Sequence, residues 1–171
     1  MAPVRHPPNV PCAIVPKVSY TFYGYPDNDP PGADIAYDCG RGYTAGGIGT
    51  YANPLTFATA PGEFAMCELV YSPYLRKYLL HEDYCESCTR DWADRHHPVW
   101  HVDIWLGRNS TTEAHEQLSC ENRLTPDGQS QVVIRNPERN LPVDEMTFYA
   151  GGKASCGVEH VYPQYAVQEF C

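Results

Sequence analysis

The sequence predicts an all-β fold with few, short helices, and three observations support this class. Sixteen prolines and thirteen glycines are scattered along the 171 residues, which breaks the chain into pieces too short for long helices. Short segments rich in β-branched and aromatic residues recur between turn residues. Eight cysteines spread over the whole chain are typical of a small domain stapled by disulfides. We therefore expect one domain built as a β-barrel or a β-sandwich.

The strand candidates are short, β-branched or aromatic, and bounded by turn residues. They are residues 19–25, 55–60, 67–72, 77–82, 100–106, 131–135 and, with the weakest pattern, 159–162. One helix is predicted over 111–122, where Thr111 or Thr112 would cap the N-terminus and Glu113 and Glu116 would lie in the early turns.

The cysteines indicate an oxidising compartment, and we expect a secreted, extracellular protein. Their pairing is not assigned, because eight cysteines allow more than a hundred combinations. Cys171 is expected to be paired, since this would tie down the C-terminal end. Cys85 and Cys88 form a Cys-x-x-Cys spacing, which here favours a disulfide over zinc. Asn109-Ser110-Thr111 is an acceptor sequence for N-glycosylation.

Charge and hydropathy exclude several classes of partner. The net charge is -9, which argues against nucleic acid and against anionic membranes, because both bind clustered Lys and Arg. No segment is long and apolar enough to span a bilayer, and residues 1–12 lack the apolar run of a signal peptide and resemble a mature N-terminus. We expect a monomer without a cofactor.

The segment His101-Val102-Asp103-Ile104-Trp105 has an unusual composition for a strand. Strand alternation puts Val102 and Ile104 on one face, and His101, Asp103 and Trp105 on the other. An imidazole and an indole beside a carboxyl group can shield it from water and raise its pKa, so that it acts as a proton donor. The alternative is a solvated strand face on which Asp103 only caps a turn.

Two loops precede this strand. Asp27-Asn28-Asp29-Pro30-Pro31-Gly32 is a stiff polar turn. Residues 40–49 contain five glycines, a density that allows close backbone approach to a ligand or simply forms a surface turn.

The order of several motifs resembles that of double-psi β-barrel proteins. They are Thr21-Phe22-Tyr23-Gly24, Gly49-Thr50-Tyr51-Ala52-Asn53-Pro54-Leu55-Thr56, Tyr71-Ser72-Pro73-Tyr74-Leu75-Arg76-Lys77-Tyr78, Glu82-Asp83-Tyr84-Cys85 and His101-Val102-Asp103-Ile104. This fold is shared by expansins, rare lipoprotein A, family-45 endoglucanases and the membrane-bound lytic transglycosylase A group. The strings around Asp27 and Gly46 also resemble small secreted fungal and actinobacterial proteins of lysozyme-like character.

The resemblance implies a six-stranded double-psi β-barrel over residues 19–107. Residues 1–18 would then form an extended N-terminal segment. Residues 108–171 would form an extension packed on the same domain, where Glu121 and Asn122, beside Cys120, would build one wall of a cleft.

The resemblance also implies roles for individual residues. Asp103 matches the late-strand aspartate that donates a proton in the enzymes of this fold. Asp83 matches the aspartate of the Asp-x-Cys corner, which is either structural or an electrostatic neighbour of Asp103. Tyr23, Tyr25, His101, Trp105 and Glu82 would contact the substrate.

The general base is the unresolved part of this assignment. Gly24 stands where family-45 endoglucanases carry an aspartate, as it does in expansins. Asp27 or Asp29 would replace that base, or would only shape their turn. A lytic transglycosylase would need no second carboxylate.

The sequence therefore predicts a glycoside hydrolase that cleaves a β-linked cell-wall polysaccharide, with peptidoglycan as the first candidate. A wall-binding protein of the expansin type, a lytic transglycosylase and a disulfide-rich inhibitor or effector that binds a host protein are the alternatives. His96, His97, His101 and Asp103 would suit a bound zinc or copper ion, but we expect no metal because His96 and His97 fall in a loop before Pro98.

Overall fold

A computed structural model describes residues 10–107, 114–149 and 156–171. Its six strands form a closed barrel in the order β1-β5-β2-β4-β3-β6. The strands are β1 (Ala13–Tyr23), β2 (Leu55–Thr59), β3 (Leu69–Ser72), β4 (Lys77–Tyr84), β5 (Trp100–Trp105) and β6 (Gln131–Arg135). Two α-helices flank the barrel, α1 (Glu86–Trp92) and α2 (Ala114–Leu124). The predicted all-β class and the six-stranded double-psi barrel are confirmed.

Two pairs of neighbouring strands run parallel, β1 with β5 and β2 with β4. Parallel neighbours cannot be joined by a tight turn, so the chain crosses over between them. The core inside the barrel is apolar, with Val18, Phe57, Val102, Ile104 and Val133 almost fully buried.

The barrel extends beyond the range 19–107 at both ends. Strand β1 begins at Ala13, because a bulge between Val15 and Val18 accommodates Pro16 and a positive φ of 55° at Lys17. Proline hid this half of the strand from the sequence pattern. Strand β6 pairs with both β1 and β3 and closes the barrel, so the C-terminal region contributes to the core as well as flanking it.

Two local predictions differ from the structure. The strand predicted over 159–162 is wrong, because Val158–His160 forms a 3-10 helix. Helix α1 was not predicted, since its seven residues are too few to show a periodic pattern; the Cys85 sulfur caps it by accepting from the Cys88 N–H at 3.0 Å. Helix α2 confirms most of the predicted 111–122 helix, whereas its predicted caps, Thr111 and Thr112, lie outside the described residues.

All eight cysteines are paired. The disulfides are Cys12–Cys171, Cys39–Cys67, Cys85–Cys88 and Cys120–Cys156. The predictions for Cys171 and for the Cys-x-x-Cys pair are therefore confirmed. Four disulfides indicate folding in an oxidising environment. None of the helices in the described ranges has the length and apolar character needed to cross a bilayer.

Candidate active site

The register of β1 against β5 brings the predicted site together. Thr21 pairs with Asp103, Ser19 with His101, and Tyr23 with Trp105. Paired residues of neighbouring strands point to the same face of the sheet, so His101, Asp103 and Trp105 share a face with Thr21 and Tyr23. Since His101 and Trp105 are only 5% and 1% exposed, whereas Asp103 keeps partial access to solvent, one accessible carboxyl group lies between two buried rings.

Asp103 is held by a single hydroxyl group among the described residues. The Thr21 hydroxyl donates to Asp103 Oδ1 at 2.9 Å. Burial raises the pKa of Asp103 to about 7; the Thr21 hydrogen bond opposes the shift, and the negative charges of Asp27 and Asp83 add to it. Asp103 therefore keeps its proton at mildly acidic pH and is still able to give it up, which is what a general acid requires.

A second acidic group lies opposite Gly24, at the end of β1. Asp27 is exposed, and its Oδ1 accepts from the Gly24 N–H at 2.8 Å. Glu121 of α2 is 4% exposed and hydrogen-bonds Asp27. Burial raises the pKa of Glu121 to about 9, and both the charge of Asp27 and the hydrogen bond to it add to the shift. Glu121 is thus neutral at pH 7 and lies beside the Asp27 carboxylate.

Helix α2 places Glu121 by burying one of its faces. Gln117, Cys120, Glu121 and Leu124 are its buried residues, and the Cys120–Cys156 disulfide ties the helix to the C-terminal region. A Cβ atom at Gly24 would lie 1.8 Å from Gln117 Nε2 and 3.5 Å from Glu121 Oε1. The volume that an aspartate would occupy at position 24 is therefore filled by side chains of α2.

Glu121 was not predicted as a catalytic residue. Sequence reasoning placed it only near the wall of a cleft, because nothing showed which face of the helix would be buried. The available signal was the pair Gln117 and Glu121, two polar residues four apart on the same helical face as Cys120 and Leu124.

The Asp83 carboxyl group has a full set of hydrogen-bond donors, one of which is the Tyr23 hydroxyl. Asp83 accepts from the Tyr23 hydroxyl at 2.6 Å and from the backbone N–H groups of Ala36 and Tyr84 at 3.0 and 2.8 Å. It is 6% exposed, and burial raises its pKa. These three bonds match the structural role for Asp83, with its charge acting on Asp103 as a neighbour. The Tyr23 ring packs edge-on against Trp105, with centroids 5.3 Å apart.

Glu82 has a different position from the predicted one. It is fully buried, and its Oε1 accepts from Arg41 Nε at 3.0 Å and from the Thr56 hydroxyl at 2.5 Å. These contacts anchor the glycine-rich loop of residues 40–49 to the barrel. A side chain with almost no exposed surface cannot contact a sugar directly, so we no longer assign Glu82 to substrate binding. The same holds for three other predicted substrate contacts, Tyr23, His101 and Trp105, which are only 6%, 5% and 1% exposed.

Asp29 and Tyr25 lie at the polar turn. Asp29 is exposed, and within the described part of the chain none of its contacts brings it to Asp103. Asp27 is therefore the better candidate of the two for a base. Tyr25 is half-buried, packs against the core cluster and leaves part of its ring open to solvent beside that turn.

A cavity of about 210 Å³ lies beyond the end of β5; Trp105 is among its lining residues and Asp103 is not. Trp105 and Gly107 line one side, Gly46 and Gly47 of the glycine-rich loop line another, and Phe148 of the C-terminal region closes it. Trp105 and Phe148 are each only 1% exposed, so neither presents an open ring face on which a sugar could stack. Among the described residues, no cluster of three or more His, Cys, Asp or Glu has a geometry that would hold a metal ion.

Comparison with known proteins assigns the chain to a family. Residues 15–157 match the model of the DDB_G0273701 N-terminal domain, which covers both the barrel and helix α2. The chain belongs to this family. A relative from Dictyostelium discoideum, "Uncharacterized protein DDB_G0273701/DDB_G0273221", is 35% identical over 136 residues, which are 80% of this chain. The chain spans 57% of the length of that relative. No solved structure gave a significant match. These names state no activity, so the function rests on the site itself.

Proposed function

We propose that the protein is a secreted glycoside hydrolase that cleaves a β-linked cell-wall polysaccharide, with Asp103 as the general acid. The observation that carries this proposal is a carboxyl group with a pKa of about 7 that keeps partial access to solvent and faces the charge of a second acidic group. Glycosidic oxygen leaves readily only after protonation, and a neutral carboxylic acid beside a carboxylate is the usual pair for this reaction.

Asp27 is the candidate base. Its Oδ1 accepts from the Gly24 N–H, which holds the carboxylate in place, and the Asp27 side chain stays exposed to water next to the neutral Glu121. Asp103 would protonate the leaving oxygen, and Asp27 would take a proton from the attacking water. Inversion requires the two carboxyl groups to lie about 6.5–9.5 Å apart around the substrate.

Peptidoglycan is the first substrate candidate, and this choice rests on the resemblance to lysozyme-like secreted proteins. Four disulfides support a protein that works outside the reducing cytosol, where wall polymers are found. The exposed part of Tyr25, two residues before Asp27, offers an apolar surface for a sugar ring.

Two alternatives have specific support. The space beside Gly24 is occupied by Gln117, so the first strand carries no carboxylate, as in a wall-binding protein of the expansin type. A lytic transglycosylase would use Asp103 alone, first as acid and then as base toward the hydroxyl group of the substrate itself. In either case Asp27 would serve only to shape its turn.

Incubation with purified peptidoglycan, chitin and cellulose separates these functions. New reducing ends that disappear in Asp103→Asn and diminish in Asp27→Asn support hydrolysis. Anhydro-sugar products detected by mass spectrometry would indicate transglycosylation instead. Sedimentation with a polymer and no soluble product from any of the three would overturn the enzymatic proposal and favour wall binding.

A further inference from the structure

The Thr21 hydroxyl has two hydrogen-bond partners but only one proton. Its Oγ1 lies 2.8 Å from His101 Nε2 and 2.9 Å from Asp103 Oδ1. On the other side of the ring, His101 Nδ1 lies 2.8 Å from Asp91 Oδ2 of helix α1. Since a hydroxyl donates one hydrogen bond, either His101 or Asp103 must donate to Thr21. The four residues therefore form one chain of hydrogen bonds, Asp91–His101–Thr21–Asp103.

This chain has two self-consistent arrangements of protons. In the first, Asp103 is protonated on Oδ1 and donates to Thr21, which donates to a neutral His101. In the second, His101 carries a proton on both ring nitrogens and donates to Asp91 and to Thr21. Thr21 then donates to Asp103 Oδ1, which leaves Oδ2 to carry the acidic proton. Only the second arrangement prepares Asp103 to release a proton, because the resulting carboxylate already has its donor.

We propose that Asp91 is a remote positioning residue for the Asp103 proton donor: through its hydrogen bond to His101 Nδ1 it favours the second arrangement, in which the Thr21 hydroxyl donates to Oδ1 of Asp103. This inference rests on the proposed function for its catalytic meaning. The chemical step is one proton moving from Asp103 Oδ2 to the leaving oxygen. No bond in the chain from Asp91 to Thr21 breaks.

The position of these residues fits such a role. The His101 side chain is 6% exposed, whereas that of Asp91 is 45% exposed, so the chain links a buried ring to a carboxylate at the surface. The His101 backbone is fixed as well, since its N–H donates to Glu63 Oε1 at 2.7 Å and its carbonyl accepts from the Thr59 hydroxyl at 2.8 Å. The ring has little freedom to leave Thr21.

The titratable groups that act on Asp103 among the described residues are acidic or phenolic. Asp27, Asp83 and Glu121 act on Asp103 from the turn after β1, from β4 and from α2, and the Tyr23 hydroxyl lies near it on β1. Besides Asp91, His101 has Glu63 close to its backbone. The Asp91 carboxylate is the hydrogen-bond partner of His101 Nδ1, so a change at Asp91 reaches Thr21 through the imidazole ring.

The contacts also follow the order of a carboxylate–imidazole–hydroxyl triad. Thr21 differs from a triad nucleophile because its hydroxyl is engaged by a second, buried carboxyl group at 2.9 Å. We therefore assign it to orientation. Labelling of Thr21 by a fluorophosphonate probe, with loss of the label in Thr21→Val, would overturn this assignment.

The decisive experiment measures the pKa of Asp103 by carboxyl ¹³C NMR in wild type, Asp91→Asn and Glu86→Gln. Removing a negative charge at Asp91 through space alone would lower the pKa of Asp103. The inference predicts the opposite sign: a rise of about one pH unit, tenfold in proton affinity, because Thr21 turns toward a neutral His101. Glu86 is the matched control, since it lies on the same helix and its side chain is 76% exposed; its variant should leave the pKa of Asp103 unchanged.

A double variant tests the path of the effect. In Thr21→Val the hydroxyl is absent, so adding Asp91→Asn should no longer raise the pKa of Asp103. A fall or no change in the single Asp91→Asn variant would overturn the inference. The NMR result does not depend on turnover: a rise in the pKa without cleavage of any polymer would leave the coupling intact and reject the proposed function. Cleavage of a polymer without a rise in the pKa of Asp103 would support the proposed function and reject the coupling. In an active enzyme, Asp91→Asn should also shift the alkaline limb of the pH–rate profile upward by about one unit.

Discussion

Asp103 and Asp83 lie on the two parallel strand pairs of the same barrel, and they differ in how their carboxyl groups are satisfied. Asp83 accepts three hydrogen bonds, from Tyr23, Ala36 and Tyr84, and is 6% exposed. Asp103 has the Thr21 hydroxyl and keeps access to solvent. Burial raises the pKa of both groups. A raised pKa therefore does not by itself separate a catalytic acid from a structural one.

The two carboxyl groups differ in whether one oxygen remains without a hydrogen-bond donor in the folded protein. An acid whose oxygens are all engaged cannot reach a substrate without breaking bonds that hold the barrel. A carboxyl group that accepts a hydrogen bond from one hydroxyl keeps its second oxygen for a substrate. On this criterion Asp103 is the catalytic candidate and Asp83 stabilises the fold. Substitutions at the two positions should therefore have opposite consequences for activity and stability.

The largest expected effect is on the activity of Asp103→Asn. Loss of a general acid lowers the rate by about 10²–10⁴-fold. The protein should remain folded at pH 8, with an unchanged or higher melting temperature, because the variant removes a group that burial makes unfavourable when charged. Product release from peptidoglycan and thermal unfolding measure the two quantities. Full activity of Asp103→Asn would contradict the assignment of Asp103 as the general acid.

Asp83→Ala should show the reverse pattern. It leaves the Tyr23 hydroxyl and two backbone N–H groups without an acceptor, which should lower the free energy of unfolding by about 3 kcal/mol. Urea unfolding measures this loss. Tyr23→Phe is the graded control, since it removes one of the three bonds and should cost about 1 kcal/mol. A stable but inactive Asp83→Ala protein would instead make Asp83 part of the chemistry.

Glu121→Gln sharpens the comparison through pH. The folded-state pKa of Glu121 lies near 9, above its usual value of 4.5, so the folded state holds a proton that the unfolded state loses. Stability linked to Glu121 is thus fully present below pH 4.5 and declines as pH rises toward 9. In wild type the free energy of unfolding should therefore fall between pH 5 and pH 9. Glu121→Gln should remove about 2 kcal/mol of this fall, a value reduced to allow for relaxation of the site. Unfolding in urea at pH 5 and pH 9 measures both slopes, and equal slopes in the two proteins would contradict the assignment.

The smallest effect is expected for Gly24→Ala. Its backbone has no positive φ, so any cost comes from the Cβ atom meeting Gln117 Nε2. The amide end can shift, so we expect a loss of about 1 kcal/mol in unfolding free energy. Gln117→Ala in the same chain should remove most of that loss. If the double variant is no more stable than Gly24→Ala, Gln117 is not what fills this space.

Local pattern was enough to predict most of the barrel. Short runs of β-branched and aromatic residues between turn residues located β2 to β6 closely, and the composition of His101 to Trp105 singled out the strand that carries Asp103. Pairing register follows from burial, because a slip by one residue would expose the core face of a strand. Cysteine content indicated disulfides and an oxidising compartment without indicating which cysteines pair.

Tertiary structure decided the composition of the site. Glu121 comes from a helix nearly a hundred residues after Gly24, and only the closed barrel with its Cys120–Cys156 disulfide brings the two together. Asp91 meets His101 for the same reason, through the packing of α1 on β5. The sequence by itself determines which types of side chain are available for proton transfer. Which of them share a proton depends on distances and burial, and these exist only in the folded chain because hydrogen bonding and desolvation act over a few ångströms in space.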